Sequence, residues 1–212
     1  NSADMNWTLT NCTFSGNIGS NTISHTSSSG SLTMVNCTVA NNTLSAGTTS
    51  QGAIYVQGSS TLNLKNTILG NNSDNINVKK FGTVTSQGNN FDSDGSTGFT
   101  NGVNGDIVGT NANKKDPLLS ALGNYGGLTQ TQALLPGSPA INAGTSSGTP
   151  ASDQRGIARV GTTDIGAFES QGFTLAVNSG NNQSADVNAI FANLLSVTVV
   201  SANNEPVDGG KI

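Results

Sequence analysis

The chain has 212 residues, a formal net charge of −4 and only 9% charged residues, with a pI of about 4.6. So little charge argues against a coiled coil or a charged helical bundle, and the acidic balance offers nothing to neutralise a nucleic-acid backbone. Because no apolar run approaches the roughly 20 residues needed to cross a bilayer, we expect neither a nucleic-acid partner nor membrane insertion.

The bias towards Asn, Ser, Thr and Gly, with so little charge, is typical of secreted material and predicts an extracellular or cell-surface location. The chain begins at Asn1 without an initiator Met, so we expect it to be processed or cut from a longer protein. With two Cys and one His, it cannot build a four-ligand Cys/His zinc site from these residues alone.

A ten-residue pattern occurs three times, at 8–17, 33–42 and 63–72, with offsets of 25 and then 30 residues. Apolar residues alternate within it, and Gly, Asn and Ser punctuate it, as in short strands joined by turns. The shared apolar columns are Trp7, Leu32 and Leu62; Leu9, Met34 and Leu64; and Phe14, Val39 and Leu69. The repeat predicts a parallel β-helix whose coils stack at about 4.8 Å, rather than a β-sandwich, which does not require the same residues at a fixed offset.

Polar columns accompany the apolar ones. We expect an asparagine column to form a ladder in which each amide bonds to the next at a bend, because Asn tolerates the left-handed backbone region. The columns are Asn11, Asn36 and Asn66, and Asn17, Asn42 and Asn72.

Cys12 and Cys37 also share a column. In-register side chains keep their Cβ atoms near 4.8 Å apart, whereas a disulfide needs about 3.5–4.5 Å. We therefore expect reduced, stacked thiols that act as small apolar groups of the core. Trp7 falls in an interior column, and His25 is expected to be a solvated loop residue.

The densest group of acidic residues comprises Asp92, Asp94, Asp106 and Asp116. Parallel β-helix enzymes that cleave acidic polysaccharides use clustered carboxylates, but Asp residues in such turns more commonly bond to backbone amides. The stretch from Asp92 to Ser96 also resembles the start of a calcium loop without its terminal Glu, so calcium held by Asp92 and Asp94 is a second reading. No other cofactor is predicted.

Residues 116–169 carry five ordered sequence blocks, including DPLL, NYGGLTQT and ALLPGSPAINAG, followed by DQRG and DIGAFE. They resemble the terminal signature of bacterial surface β-helix proteins of the choice-of-anchor Q type. The resemblance implies a right-handed parallel β-helix on a secreted or surface-anchored protein, and no defined reaction. Gln132 and Asn142 depart from the His and Asp that the family often has at these positions.

Arg155 lies within this signature, near three carboxylates. We expect a structural ion pair with Asp153, Asp164 or Glu169, since a buried bidentate Arg–carboxylate contact would tie the last coils together.

The composition changes after Glu169. Residues 173–177 and 195–200 alternate as strands, and the tail resembles the opening strands of a bacterial immunoglobulin-like domain. A full sandwich needs about seven strands and about 100 residues, so this one is incomplete. The tail therefore either pairs with a neighbouring subunit or is a truncated domain.

These observations predict an all-β chain, with a right-handed parallel β-helix at 1–170 and strands of an incomplete immunoglobulin-like sandwich at 171–212. The expected function is a structural or adhesive module of a bacterial surface protein, with a homopolymer or neighbouring domains as partners. The alternatives are a carbohydrate-binding module that recognises a glycan through the loops near 92–116, and a polysaccharide-degrading enzyme. We do not expect an enzyme.

Overall fold

The computed structural model describes residues 5–27, 29–45, 52–73 and 76–212. The class is all-β and the sheets are mostly parallel, as the sequence predicts. A short 3-10 turn lies at Val103–Gly105. Within the described ranges, no helix has the length and apolar character that crossing a membrane requires.

Three parallel sheets run along the molecule, and each of the first three coils adds one strand to each sheet in turn, while the later coils extend only the first and second sheets. The first sheet contains β1 (Met5–Thr10), β5 (Gly30–Val35), β9 (Thr61–Lys65) and β12 (Thr83–Ser86). The second contains β2 (Thr13–Ser15), β6 (Thr38–Ala40), β10 (Ile68–Gly70), β13 (Phe91–Asp92) and β14 (Ile107–Val108). The third contains β4 (Asn21–His25), β8 (Gly52–Val56) and β11 (Val78–Lys80), and a small parallel pair is formed by β3 (Ile18–Gly19) and β7 (Thr43–Leu44).

The strand register places the repeat columns above one another, which confirms the predicted alignment. Leu32 pairs with Leu62 in the first sheet, and Met34 pairs with Leu64. In the second sheet, Val39 pairs with Phe14 of the preceding coil and with Leu69 of the following coil. Burial alternates along β5 and β9, so one face of the first sheet forms the apolar interior while the other meets solvent.

The second sheet is buried on both faces. Every residue of β6 and β10 is buried, although these strands have the same period-two geometry as those of the first sheet. Ile68 and Phe91 face outwards into a second apolar cluster, where they pack against Leu134, Ile165 and Phe168 of the segment after residue 116. This segment therefore covers the outer face of the second sheet and continues the core on that side.

A buried amide ladder runs along one corner of the coils. Asn17 donates through Nδ2 to Asn42 Oδ1 at 2.9 Å, and Asn42 donates in the same way to Asn72 at 2.9 Å. The ladder continues from Asn72 to Asn77 at 2.8 Å and from Asn77 to Asp92 at 2.8 Å. Each coil is thus bonded to the next through side chains as well as through strand hydrogen bonds.

The tail forms one antiparallel pair of strands, β15 (Thr174–Ser179) and β16 (Ser196–Val200). It is attached to the preceding segment by Glu205, whose carboxylate accepts hydrogen bonds from Ser170 Oγ and the Gln171 amide at 2.9 Å each. The Lys211 amide also donates to the Pro136 carbonyl at 2.8 Å.

Two sequence expectations about the first coil are wrong. Trp7 pairs in register with Leu32, but it is 47% exposed because β1 is the edge strand of the first sheet. His25 is not a solvated loop residue: it ends β4, is 1% exposed, and its ring centroid lies 6.1 Å from that of Trp7. Its position in a strand of the third sheet turns the side chain away from solvent.

The ladder gives a stability prediction. Asn72→Ala removes two hydrogen bonds accepted from Asn42 and two donated, to Val39 O and Asn77 Oδ1, and leaves buried partners unsatisfied. We expect the free energy of unfolding in urea to fall by roughly 2–4 kcal/mol. Asn17→Ala, at the exposed end of the ladder, is the matched control and should cost about 1 kcal/mol or less. Equal losses for the two variants would contradict a ladder that stabilises the interior.

Candidate functional site

The asparagine column of Asn11, Asn36 and Asn66 contacts the C-terminal part of the chain. Residues 143–166, which we call the strap, pass beside successive coils and accept hydrogen bonds from them. Asn66 Nδ2 donates to Thr145 O at 2.7 Å, Asn11 Nδ2 to Ser152 O at 2.8 Å, and Asn89 Nδ2 to Ala143 O at 2.9 Å. The strap therefore connects coils that are far apart in sequence.

The expected ladder of Asn11, Asn36 and Asn66 differs from what the structure shows. All three adopt left-handed backbone angles, with φ of 52°, 49° and 46°. Their amides, however, reach the strap instead of one another, and Asn36 Oδ1 has no hydrogen-bond partner. The reason is that the strap's backbone needs side-chain partners where it crosses the coils. The amide ladder forms instead in the column of Asn17, Asn42 and Asn72.

Gly166 marks the closest approach of the strap to the coils. It has φ of +106°, and a Cβ atom there would lie 2.7 Å from Ile68 Cδ1 and 2.9 Å from Thr38 Oγ1. Its amide donates to the Asn66 carbonyl at 2.8 Å. Only glycine combines this backbone angle with this proximity to the second sheet.

Arg155 lies at the centre of a buried polar network. Its Nε donates to Asp153 Oδ2 at 2.8 Å, and its NH2 donates to the backbone oxygen of Glu169 at 2.5 Å. The guanidinium lies 3.6 Å above the Phe168 ring centroid, and NH1 lies 3.8 Å from Glu205 Oε1. Arg155 therefore joins the signature segment to the tail.

Arg159, rather than Arg155, holds the carboxylate of Glu169. The Arg159 NH1 to Glu169 Oε2 distance is 2.8 Å, and Glu169 also accepts the amides of Val160 and Asp164. Arg159 NH2 reaches Asn11 Oδ1 at 3.1 Å, so this ion pair extends to the first coil. The sequence reasoning missed Arg159 and Glu205; the signal for Arg159 was its place inside the signature, four residues after Arg155.

Asp164 forms no ion pair among the described contacts, unlike the sequence expectation. Its two oxygens accept the backbone amides of Asn142 and Ser170, each at 2.6 Å. Burial, together with the nearby negative charge of Glu169, raises the pKa of Asp164 from 3.8 to about 7. This carboxyl group thus titrates close to neutral pH.

Asp92 and Asp94 use all four carboxylate oxygens within the protein. Asp92 accepts from Asn77 Nδ2 and from the amide and hydroxyl of Thr97, while Asp94 accepts from the amides of Asn77 and Ser96. Burial raises the pKa of Asp94. A calcium ion here would have to displace these donors, and calcium at this site stays a prediction.

The other two residues of the acidic group also cap the backbone. Asp106 accepts from the amide and side chain of Asn90, and Asp116 accepts from the Leu118 amide at 2.9 Å. Across the described ranges, the structure places no group of three or more His, Cys, Asp or Glu side chains where they could hold one metal ion. These carboxylates stabilise turns by accepting hydrogen bonds from nearby amides, which is the more common role of Asp in such turns.

Cys12 and Cys37 are both free thiols, Cys37 buried and Cys12 half-buried. Cys37 Sγ lies 3.4 Å from the carbonyl oxygens of Leu9 and Val35, and Cys12 Sγ lies 3.2 Å from that of Thr10. Cys37 belongs to the main apolar cluster, and Cys12 packs against it.

One open polar groove lies between the first sheet and the strap. Its lining includes Lys65, Gln87, Asn89, Asn104 and Ser147. Amide, hydroxyl and ammonium groups of this kind suit hydroxylated ligands. Of the loops near 92–116, in which the sequence places the candidate glycan site, Asn104 lines this groove.

Comparison of the chain with models of protein families, with curated proteins and with solved structures gave no match.

The raised pKa of Asp164 predicts a pH dependence. Between about pH 4 and 7 the folded chain holds this proton while the unfolded chain has released it, so stability falls as pH rises through that window. Asp164→Asn cannot titrate, so the free energy of unfolding of the wild type relative to this variant should decrease from pH 4.5 to pH 7.5. Asp94 and Glu205, whose pKa values are also raised, are present in both proteins. A difference independent of pH would contradict the prediction.

The ion pair of Glu169 gives a second prediction. Glu169→Ala leaves the buried Arg159 guanidinium without its counter-ion, and leaves Arg159 NH1 and the amides of Val160 and Asp164 without their acceptor, so we expect a loss of roughly 3–5 kcal/mol in urea unfolding. Asp186→Ala, an exposed carboxylate of the tail, is the control and should change stability by less than about 0.5 kcal/mol. A loss below about 1 kcal/mol for Glu169→Ala would show that the pair does not stabilise the strap.

Proposed function

We propose that the chain is a structural module of an extracellular bacterial surface protein, a right-handed parallel β-helix of the choice-of-anchor Q type whose copies associate through the first coil and the tail. The observation that carries the proposal is the contrast between the buried interior and two exposed surfaces. Most buried polar groups are hydrogen-bonded within the chain, whereas strands with unpaired edges and exposed apolar side chains lie in the first coil and in the tail.

The first coil supplies one surface. Within the described residues, β1 pairs only with β5, and its Met5 and Trp7 are 40% and 47% exposed. An edge strand with exposed apolar side chains is a template for pairing with another chain.

The tail supplies the second surface. Within the described residues, β15 pairs only with β16, and Leu175 and Val177 on one face of β15 are 60% and 55% exposed. Strands β1 and β15 each contain six residues, so they match in length. Two strands alone do not bury their apolar face, and a strand of a second copy would complete it. Because the two surfaces differ, the contact is heterologous and can repeat from copy to copy, and it produces a fibre when the rotation between copies does not close a ring.

The test compares two double variants of β15 with the same added charge. Leu175→Lys with Val177→Lys places lysines on the apolar face, and Ala176→Lys with Asn178→Lys places them on the opposite face. We expect the wild type to assemble with rising concentration in sedimentation velocity and to form fibres in negative-stain micrographs. The first variant should stay monomeric, and the second should assemble. A wild type that stays monomeric at every concentration, or equal assembly of both variants, would refute the proposal.

A carbohydrate-binding module is the second candidate, because the polar groove along Gln87, Asn89 and Asn104 is open and lined by hydrogen-bonding side chains. A glycan array combined with an oligosaccharide cleavage assay separates the possibilities. Binding lost in Gln87→Ala would support this candidate, and cleavage of a bound glycan would support a polysaccharide-degrading enzyme.

A further inference from the structure

The two cysteines occupy one position in consecutive coils. They are flanked by the in-register pairs Thr10 with Val35 and Thr13 with Thr38. The Thr38 amide also donates to the Cys12 carbonyl at 2.9 Å, which fixes the two coils to each other at this point. Because neighbouring strands are about 4.8 Å apart, the Cα atoms of the two cysteines fall within the range of about 4.4–6.8 Å that a disulfide requires.

The surroundings of the two thiols are unequal. Cys37 is 0% exposed, and the strands of the second coil are bonded to a coil on each side. Cys12 is half-buried, and it precedes β2, which is an edge strand within the described residues. A small reagent can therefore reach Cys12 from the open side of the first coil, whereas Cys37 is reached only through Cys12.

The two thiols also differ in acidity. Contact with the Cys37 side chain lowers the pKa of Cys12 to about 6, while the same contact and burial raise the pKa of Cys37 well above its usual value. The exposed member of the pair is therefore the one that loses its proton more readily. An accessible thiolate beside a second thiol is the arrangement that reacts with disulfides.

We propose that Cys12 and Cys37 form a dithiol site that reacts with low-molecular-weight disulfides, with Cys12 as the attacking residue and Cys37 as the resolving residue. In the first step the Cys12 thiolate attacks one sulfur of the small disulfide. A bond to Cys12 forms, the S–S bond of the reagent breaks, and one thiolate leaves.

In the second step Cys37 gives its proton to solvent and attacks the Cys12 sulfur. The bond between Cys12 and Cys37 forms, and the second thiolate leaves. The reagent is reduced to two thiolates while the two protein thiols are oxidised to one disulfide, so atoms and electrons balance. The product is a covalent link between the first and second coils, and its closure needs the Cβ atoms to approach by roughly 0.3–1.3 Å from the regular strand spacing.

The test uses dithiobis(nitrobenzoate), an aromatic disulfide, on the native chain. We expect the wild type to release two equivalents of coloured thiolate per chain and to end without bound reagent by mass spectrometry. Cys37→Ser should release one equivalent and retain the mixed disulfide. Cys12→Ser should release none while folded and one after unfolding in urea, which shows that Cys37 is present but inaccessible.

The pH profile separates a reactive pair from two unrelated thiols. The rate of the first release should have its midpoint near pH 6 in the wild type and at higher pH in Cys37→Ala, which has no donor at this position. Circular dichroism and urea unfolding of the two serine variants and of Cys37→Ala establish that they fold.

Three results would overturn the proposal. They are no release from the folded wild type, a release from folded Cys12→Ser as fast as that of the wild type, and a wild type that stops at the mixed disulfide. None of these results depends on whether the chain forms fibres.

Discussion

The amide ladder that runs from Asn17 through Asn42 and Asn72 to Asn77 is the interaction on which the other contacts of the coils depend. A coil must turn at the same place in every layer, or the strands of the next layer lose their register. At each turn the backbone exposes polar groups towards the interior, where an unsatisfied group is costly. An asparagine side chain offers one acceptor and two donors, so it can bond to its own backbone, to the coil behind and to the coil ahead at once. Once each turn is fixed in this way, the strands are in register and the apolar columns, such as Leu32 and Leu62, stack on one another.

The strap extends the same principle from neighbouring coils to distant ones. Asn11 and Asn66 direct their amides away from the coil stack and bond to backbone oxygens of the strap. Apolar contact accompanies these bonds, because Ile165 and Phe168 pack on the outer face of the second sheet. The result is a sheet buried on both faces, which explains why β6 and β10 contain no exposed residue although the chain is only 33% hydrophobic. Few apolar residues suffice because they are concentrated in two thin layers on either side of one sheet.

The sequence repeat makes the stacking of the coils predictable, and the lack of a repeat in the strap explains why its contacts are not. The column alignments follow from a period that can be read directly, since Leu9, Met34 and Leu64 recur with their flanking residues. The strap contains no repeat, and its hydrogen bonds to the coils join residues far apart in sequence, from 54 positions for Asn89 and Ala143 to 79 for Asn66 and Thr145 and more for others. No local pattern shows that Asn11 bonds to Ser152, so the amides were assigned to each other. His25 was misplaced for a related reason: the stretch around it is rich in Ser and Thr, which favour turns, whereas its burial is set by pairing with β8.

The distribution of charge affects how strongly copies of the chain repel one another. Among the acidic residues that the structure describes, seven are buried, namely Asp92, Asp94, Asp106, Asp153, Asp164, Glu169 and Glu205. They accept hydrogen bonds from backbone amides or pair with Arg155 and Arg159, whose side chains are 3% and 4% exposed. Much of the negative charge of the described residues is therefore held inside the molecule, which leaves few charged groups on its outer surface. Such a surface repels other copies weakly, because few like charges face one another across a contact. Under these conditions, we expect the exposed apolar strands β1 and β15 to determine where copies meet.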